Sequence, residues 1–395
     1  MPARIAFPLI GGRNWTGGYN YLINLVRALA IQRPDAITPV LCFGADTDPG
    51  DAAPFERIDG AEVIRDPAFN ESRRSVALAK ALILGRDAAT QAIFARARID
   101  AIFENAQFTG WRTPLPAIAW IPDFQHRYMP QLFSRIGYWK REIGFRAQVA
   151  TGRTIMLSSE DTRQACEHFH PSTAGRTHVV PFAVPMPPCI DPVRARAVAD
   201  SYGLPKRYLF MPNQFWQHKN HTLVLEALAL LKARGRTDIV VAASGKTLDP
   251  RLPRHFPALQ ARITKLGLET QFRILGMVPY NDLASLMRSS DALLNPSLFE
   301  GWSTTVEEAR AAGVPMLLSD LPVHREQAVG LARFFYPYSA TSLADALIMT
   351  PPAPPTDDTA LTYAANARVA AFAEAFVALA QTAVLPALLN KSKFS

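Results

Sequence analysis

The chain has 395 residues, 49% of them apolar and 19% charged, with a formal net charge of +8. That balance excludes a disordered or fibrous chain, and the length predicts roughly two domains. The cations are spread out with no Lys or Arg block, so nucleic-acid binding is not expected; the excess suits acidic substrates such as phosphates, an anionic membrane surface, or an inert basic exterior. Cys42, Cys166 and Cys189 are far apart and lack metal-ligand spacing, which predicts no disulfide framework and a reducing compartment. The apolar run at residues 4–10 is too short for a signal peptide, and nothing approaches ~18 uninterrupted apolar residues. A cytoplasmic protein is expected, or one at the inner face of a membrane.

In chain order, residues 4–9 read as a strand that runs into a glycine-rich turn from Gly11 to Gly18, followed by helical spacing over 21–30. Strands are predicted at 39–43, 101–103, 117–121, 154–157 and 178–180. Five prolines between 181 and 192 mark an interdomain linker. Alternation then resumes, with strands at 207–211, 238–243, 272–275, 292–295 and 315–319, and helices at 223–231, 282–289 and 304–312. A second proline cluster at 351–355 precedes an Ala-rich helix over 359–389, predicted to break at Pro386. Strand alternating with helix implies parallel sheets. The expected domains are 1–190, 191–360 and a C-terminal helical segment, 361–395, crossing back to the first.

Ligands of parallel α/β sheets bind beyond the carboxyl ends of strands, often at a helix N-terminus. The segment from Leu293 to Glu308 has that form: a strand ending at Asn295, a loop with Glu300, Gly301 and Trp302, and a helix starting near Ser303. Free N–H groups of Ser303, Thr304 and Thr305 would meet an anion such as phosphate. Glu308 and Glu300 would accept hydrogen bonds from sugar hydroxyls. A plain N-cap with first-turn acids has the same composition. A second segment, Met211 to His221, follows a strand and precedes a helix, and its Lys219 would neutralise part of a diphosphate leaving group. His218 and His221 read as capping or solvent-facing.

Glu300-Gly301-Trp302-Ser303-Thr304-Thr305-Val306-Glu307-Glu308-Ala309, with Ala312-Gly313-Val314-Pro315 and Ser319-Asp320 after it, resembles the signature of retaining glycosyltransferase family 4. The family's two glutamates, separated by seven residues, fall on Glu300 and Glu308. The resemblance implies the GT-B fold: two Rossmann-like domains with parallel sheets facing a central cleft. It implies transfer of a sugar from a nucleoside diphosphate sugar to an acceptor hydroxyl with retention, in surface polysaccharide or glycolipid assembly. By that resemblance Leu275-Gly276-Met277-Val278-Pro279 would bind the nucleobase through backbone, Gly276 and Met277 foremost. Gln214 stands where the family commonly has an Arg, so another group supplies that charge or the loop follows a subgroup pattern. Gly17 and Gly18 resemble the family's glycine pair near donor phosphates and acceptor; an ordinary turn would look alike. After residues 117–121 the family has His-Asp, and here Pro122 replaces the His while Asp123 remains. Either His126 takes the role or the sugar is held differently.

Ser159 reads as an N-cap of a structural helix. Asp46-Thr47-Asp48 reads as a turn rather than a metal site, and no metal or other cofactor is expected. The aromatic and cationic stretch 133–145 suits either a half-buried helix or peripheral membrane contact near a carbohydrate or lipid-linked glycan acceptor. The rival expectations are another GT-B enzyme (a sugar-nucleotide epimerase or sugar-phosphate synthase), a non-catalytic sugar-nucleotide-binding relative, and a nicotinamide-dependent dehydrogenase. The first loop lacks Gly-x-Gly-x-x-Gly, which counts against the last.

Overall fold

Short apolar runs spaced by amphipathic helices assemble into two all-parallel sheets. In the computed structural model, residues 2–9, 12, 16–105, 107–187, 191–328 and 330–391 are described; Gly11, Arg13, Asn14 and Trp15 of the glycine-rich turn, Pro188 of the predicted linker and Cys189 lie outside them. The first sheet comprises β1 (Ala3–Pro8), β2 (Ile37–Phe43), β3 (Glu62–Arg65), β4 (Ala101–Asn105), β5 (Ala117–Trp120), β6 (Thr154–Leu157) and β7 (Thr177–Val179). Their order is β3-β2-β1-β4-β5-β6-β7. The second comprises β8 (Leu209–Met211), β9 (Val241–Ser244), β10 (Phe272–Gly276), β11 (Ala292–Asn295), β12 (Met316–Ser319) and β13 (Ala332–Phe335), ordered β10-β9-β8-β11-β12-β13. Central strands such as β4, β5, β8 and β11 are buried along their whole length, as a sheet covered by helices on both faces requires.

The edge strands β3 and β13 were not expected from sequence. β3 is largely exposed, its Glu62 held by Arg4 at 2.6 Å, and β13 alternates exposed and half-buried residues. Neither gives the continuous apolar run that marks a covered strand.

Contacts divide the chain into one unit of Met1–Ala183 with Ala367–Ser395, and another of Val184–Asn366. The boundary therefore falls inside the helix Asp358–Lys391, which runs on through Pro386. A proline removes one helical hydrogen bond and bends the axis without having to end it. By length and composition this helix is apolar enough to cross a membrane. Phe372, Ala373, Phe376 and Val377 are instead buried. Phe376 lies 5.9 Å from Phe7 and 5.8 Å from Phe103, and Phe372 lies 5.7 Å from Tyr21. The first unit's core thus includes residues from the far end of the sequence.

Candidate active site

The order of the second sheet reverses between β8 and β11, which are neighbours although three strands apart in number. Helices connect away in opposite directions from such a point, leaving a crevice at the carboxyl ends of the two strands. Both segments singled out from sequence lie there.

After β8, residues Gln217–Lys219 form one turn and Asn220 takes a left-handed φ of 57° before the helix His221–Ala233. That reversal points Lys219 back across the crevice. Its Nζ donates to Glu300 Oε1 at 2.6 Å, and Ser297 Oγ donates to the same oxygen at 2.7 Å. The Leu298 N–H donates to the His218 carbonyl at 2.8 Å, so backbone as well as side chains tie the two loops together. Burial pushes the Glu300 carboxyl up, but the Lys219 charge and these hydrogen bonds outweigh it and hold it at about 2. Glu300 is therefore ionised at neutral pH.

Asn295, at the end of β11, accepts from the Ser297 N–H at 3.2 Å, and its Oδ1 lies 2.7 Å from the hydroxyl whose one proton goes to Glu300, which folds the loop back toward Glu300. Gly301 and Trp302, both half-buried, lead into the helix Thr304–Ala311. The expectation of three free amides is corrected at one position. The Ser303 N–H donates to Gln327 Oε1 at 3.2 Å, and Gln327 Nε2 donates in turn to the Ser303 carbonyl and to Glu307 Oε1. The Ser303 hydroxyl accepts from Asn295 Nδ2 at 3.0 Å and makes no cap. No described residue accepts from the N–H groups of Thr304 or Thr305. Two donors, not three, face outward at the positive end of this helix.

Glu308 accepts no hydrogen bond from any described residue, and burial pushes its carboxyl up to about 7. The two family-spaced glutamates are thus held in opposite states, one ionised beside a lysine and one poised to take a proton near neutral pH. His324 donates from Nδ1 to the Ser319 carbonyl at 2.8 Å and leaves a buried, unpaired Nε2. Burial lowers its pKa. His218 and His221 are buried rather than solvent-facing, and burial lowers each to about 3. His221 stacks on Phe215 at 4.5 Å.

Gln214 is half-buried, with its Oε1 unpaired. Arg251 also lies at this loop, 5.0 Å from the Trp216 ring centre and paired with Asp249 at 3.0 Å. Gly276 ends β10 at φ 68° and accepts from the Gly245 N–H, while Met277 beside it is exposed. Gly245 itself has φ 151°, and a Cβ there would stand 2.7 Å from the Asn213 carbonyl oxygen. The Gly245→Ala variant is expected to lose ~1–3 kcal/mol, read as a lower denaturant midpoint, because backbone rather than a movable side chain fills that space.

The remaining candidates belong to the first unit. Gly17 and Gly18 lie in the first turn of the helix Thr16–Gln32, and a Cβ at Gly17 would meet nothing within 4 Å. Asp123 accepts from Arg141 and from the Gln125 N–H, both at 2.8 Å. His126 is fully buried, 3.1 Å from Glu142 and enclosed by Phe133, Tyr138 and Phe145; burial lowers its pKa despite that carboxylate. Asp48 caps the helix Pro49–Glu56 and Asp46 accepts from the Glu71 N–H, so the Asp-x-Asp is a turn. Ser159 caps the helix Glu160–Phe169 through the Thr162 N–H at 3.0 Å. Among the described residues, no three His, Cys, Asp or Glu side chains cluster as a metal site would need.

Two Rossmann-like α/β domains give the chain the GT-B fold, as the solved structures bear out. The solved structure of Anabaena Alr3699/HepE in complex with UDP and glucose superposes with a TM-score of 0.63 over 99% of both chains at 16% identity. Residues 200–350 match the model of the family Glycosyl transferases group 1. The O-antigen chain mannosyltransferase RfbU of Salmonella typhimurium is 26% identical over 149 residues, 36% of this chain and 38% of that protein. Mannosylfructose-phosphate synthase of Agrobacterium fabrum is 24% identical over 143 residues, 34% of this chain and 32% of that protein. The matched stretches span about a third of these curated relatives.

Residues missed from sequence are Ser297, Asn295 and Gln327, which hold Glu300 and the helix start in place. Asn-x-Ser after a strand is a readable turn signal. Nothing in the sequence pairs Gln327 with Ser303, because that contact exists only after the chain has folded.

Proposed function

We propose that this protein is a glycosyltransferase that moves a sugar from a nucleoside diphosphate sugar to an acceptor hydroxyl, with retention at the anomeric carbon. The observation that carries the reading is the Lys219–Glu300 pair beside the two outward N–H groups of Thr304 and Thr305. A cation and two amides suit a diphosphate whose charge grows as the bond to the sugar breaks. Glu300, fixed and ionised, would accept hydrogen bonds from the transferred sugar, and Glu308 from the ribose. Gly276 and Met277 would meet the nucleobase. The anomeric C–O bond to the diphosphate breaks on the face where the acceptor oxygen attacks, and the departing phosphate takes the hydroxyl proton. No metal is assigned a step, nor are Asp123 and His126, which are engaged inside the first unit.

The acceptor is a carbohydrate or lipid-linked glycan, and the setting surface polysaccharide or glycolipid assembly at the cytoplasmic side of a membrane. The resemblance to RfbU, an O-antigen chain mannosyltransferase, supports that choice. A thermal-shift screen against nucleoside diphosphate sugars tests the donor. A ligand at 100 times its Kd adds roughly 2.7 kcal/mol of stability. Selective stabilisation by one sugar nucleotide is the expected result, and no shift with any of them would overturn the reading.

A further inference from the structure

The helix Arg74–Ile83 has two unlike faces. Arg74, Ala77 and Ala81 point inward and line a cavity with Pro8 and Leu9 at the end of β1 and Phe108 and Thr109 after β4. Those ends lie where the first sheet reverses its order, between β1 and β4. The opposite face is apolar and uncovered: Val76 is 52% exposed, Ile83 76% and the adjoining Leu84 60%.

Trp111 extends this surface. Its indole N–H donates to the Leu82 carbonyl at 3.1 Å, and the Arg112 N–H donates to the Gly85 carbonyl at 2.8 Å. A Cβ at Gly110 would stand 2.2 Å from the Gly85 oxygen, so the two loops meet backbone to backbone. The indole is thus clamped in place while 47% exposed. The Arg112 guanidinium lies 4.3 Å from its ring centre.

The charges around the surface that lack an ion-pair partner among the described residues are cationic. Arg73, Arg86 and Arg112 are exposed, and none has an ion-pair partner among the described residues. Of the nearby acids, Asp87 is buried beside Lys80, and Glu71 is taken by Arg74. An exposed apolar face with a fixed tryptophan and a cationic rim suits an anionic bilayer interface, which needs no shape match.

We propose that this face, Val76, Ile83, Leu84 and Trp111 with Arg73, Arg86 and Arg112, docks on an anionic phospholipid bilayer and sets the cavity behind it against the membrane. It gives the membrane contact of the proposed function a surface, different from the 133–145 stretch expected from sequence. In that stretch the helix Arg135–Ala150 also exposes Ile136, Trp139 and Ile143, which makes it the competing surface in the test below.

The test is co-sedimentation of the full chain with vesicles of phosphatidylcholine alone or with 30% phosphatidylglycerol. Binding is expected to the anionic vesicles, to weaken with salt, and to fall about tenfold or more in Ile83→Ser/Leu84→Ser. Arg86→Glu/Arg112→Glu should release the protein from the anionic vesicles alone, whereas Trp111→Phe should keep most binding. Circular dichroism melts confirm that each variant is folded. Absence of binding to anionic vesicles, undiminished binding by the Ile83/Leu84 variant, or loss confined to Ile136→Ser/Trp139→Ser would each overturn the proposal. Donor-induced thermal shifts, read on the same proteins, report separately on the glycosyltransferase reading.

Discussion

The Lys219→Ala variant is expected to lose roughly 10²–10³-fold in turnover, the size of effect seen when one preorganised donor to developing charge is removed. The measurement is release of nucleoside diphosphate from whichever donor the thermal screen selects. Undiminished turnover would remove Lys219 from the chemistry. A structural consequence follows from the 2.6 Å contact with Glu300, since both side chains are largely buried. Without its lysine, Glu300 becomes an unmatched charge in a low-dielectric crevice, at a cost of roughly 3 kcal/mol. The double variant Lys219→Ala/Glu300→Gln should recover most of that stability and none of the turnover, which separates the two roles. Acid titration gives an independent reading. Glu300 is held at about 2 in the folded protein. Its contribution to stability is therefore present above an ordinary carboxyl pKa of ~4.3 and lost as pH falls from there through 2.

Glu308 should show the opposite sign. Its carboxyl sits at about 7, so the folded protein holds a proton there that the unfolded chain releases near 4.3, and its ionisation erodes stability as pH rises from ~4.3 through 7. For donor binding the direction reverses, because an ionised carboxylate accepts from ribose hydroxyls better than a neutral one. Donor affinity should tighten by up to about tenfold between pH 6 and pH 8, with one proton released. The diphosphate itself titrates in that range, so the test is the comparison with Glu308→Gln, measured by calorimetry in two buffers of different ionisation enthalpy. The variant should bind more weakly and lose the excess pH dependence. Identical profiles would take Glu308 out of the nucleotide site.

The covered strands were legible because burial on both faces demands continuous apolar runs, and Ala292–Asn295 and Met316–Ser319 fall on such runs. The edges β3 and β13 were not, since exposure relaxes that demand. At the site, Lys219, Glu300 and Glu308 stood out through strand, glycine and helix start. Their states did not. Whether a carboxylate is ionised depends on what closes over it, and Lys219 and Glu300 are 81 residues apart in the chain. His126 was one of two options that the family resemblance left open, and in the fold it turns inward onto Glu142. The exposed tryptophan at position 111 carried no sequence signal, because its neighbours at 82–86 are brought to it by the fold.

The placement of Phe372 and Phe376 in the first unit has a consequence for how the chain is made. Synthesis proceeds from the N-terminus at ~5–20 residues per second, and domains commonly fold as they emerge. Here the seven-stranded sheet is complete by Val179, but the rings that pack on Phe7, Phe103 and Tyr21 come almost 200 residues later. For roughly 10–40 seconds the nascent first unit presents an open apolar seam while the second unit is translated and closes on its own. That seam is where a chaperone would be needed, and a nascent chain halted before residue 372 would keep it open.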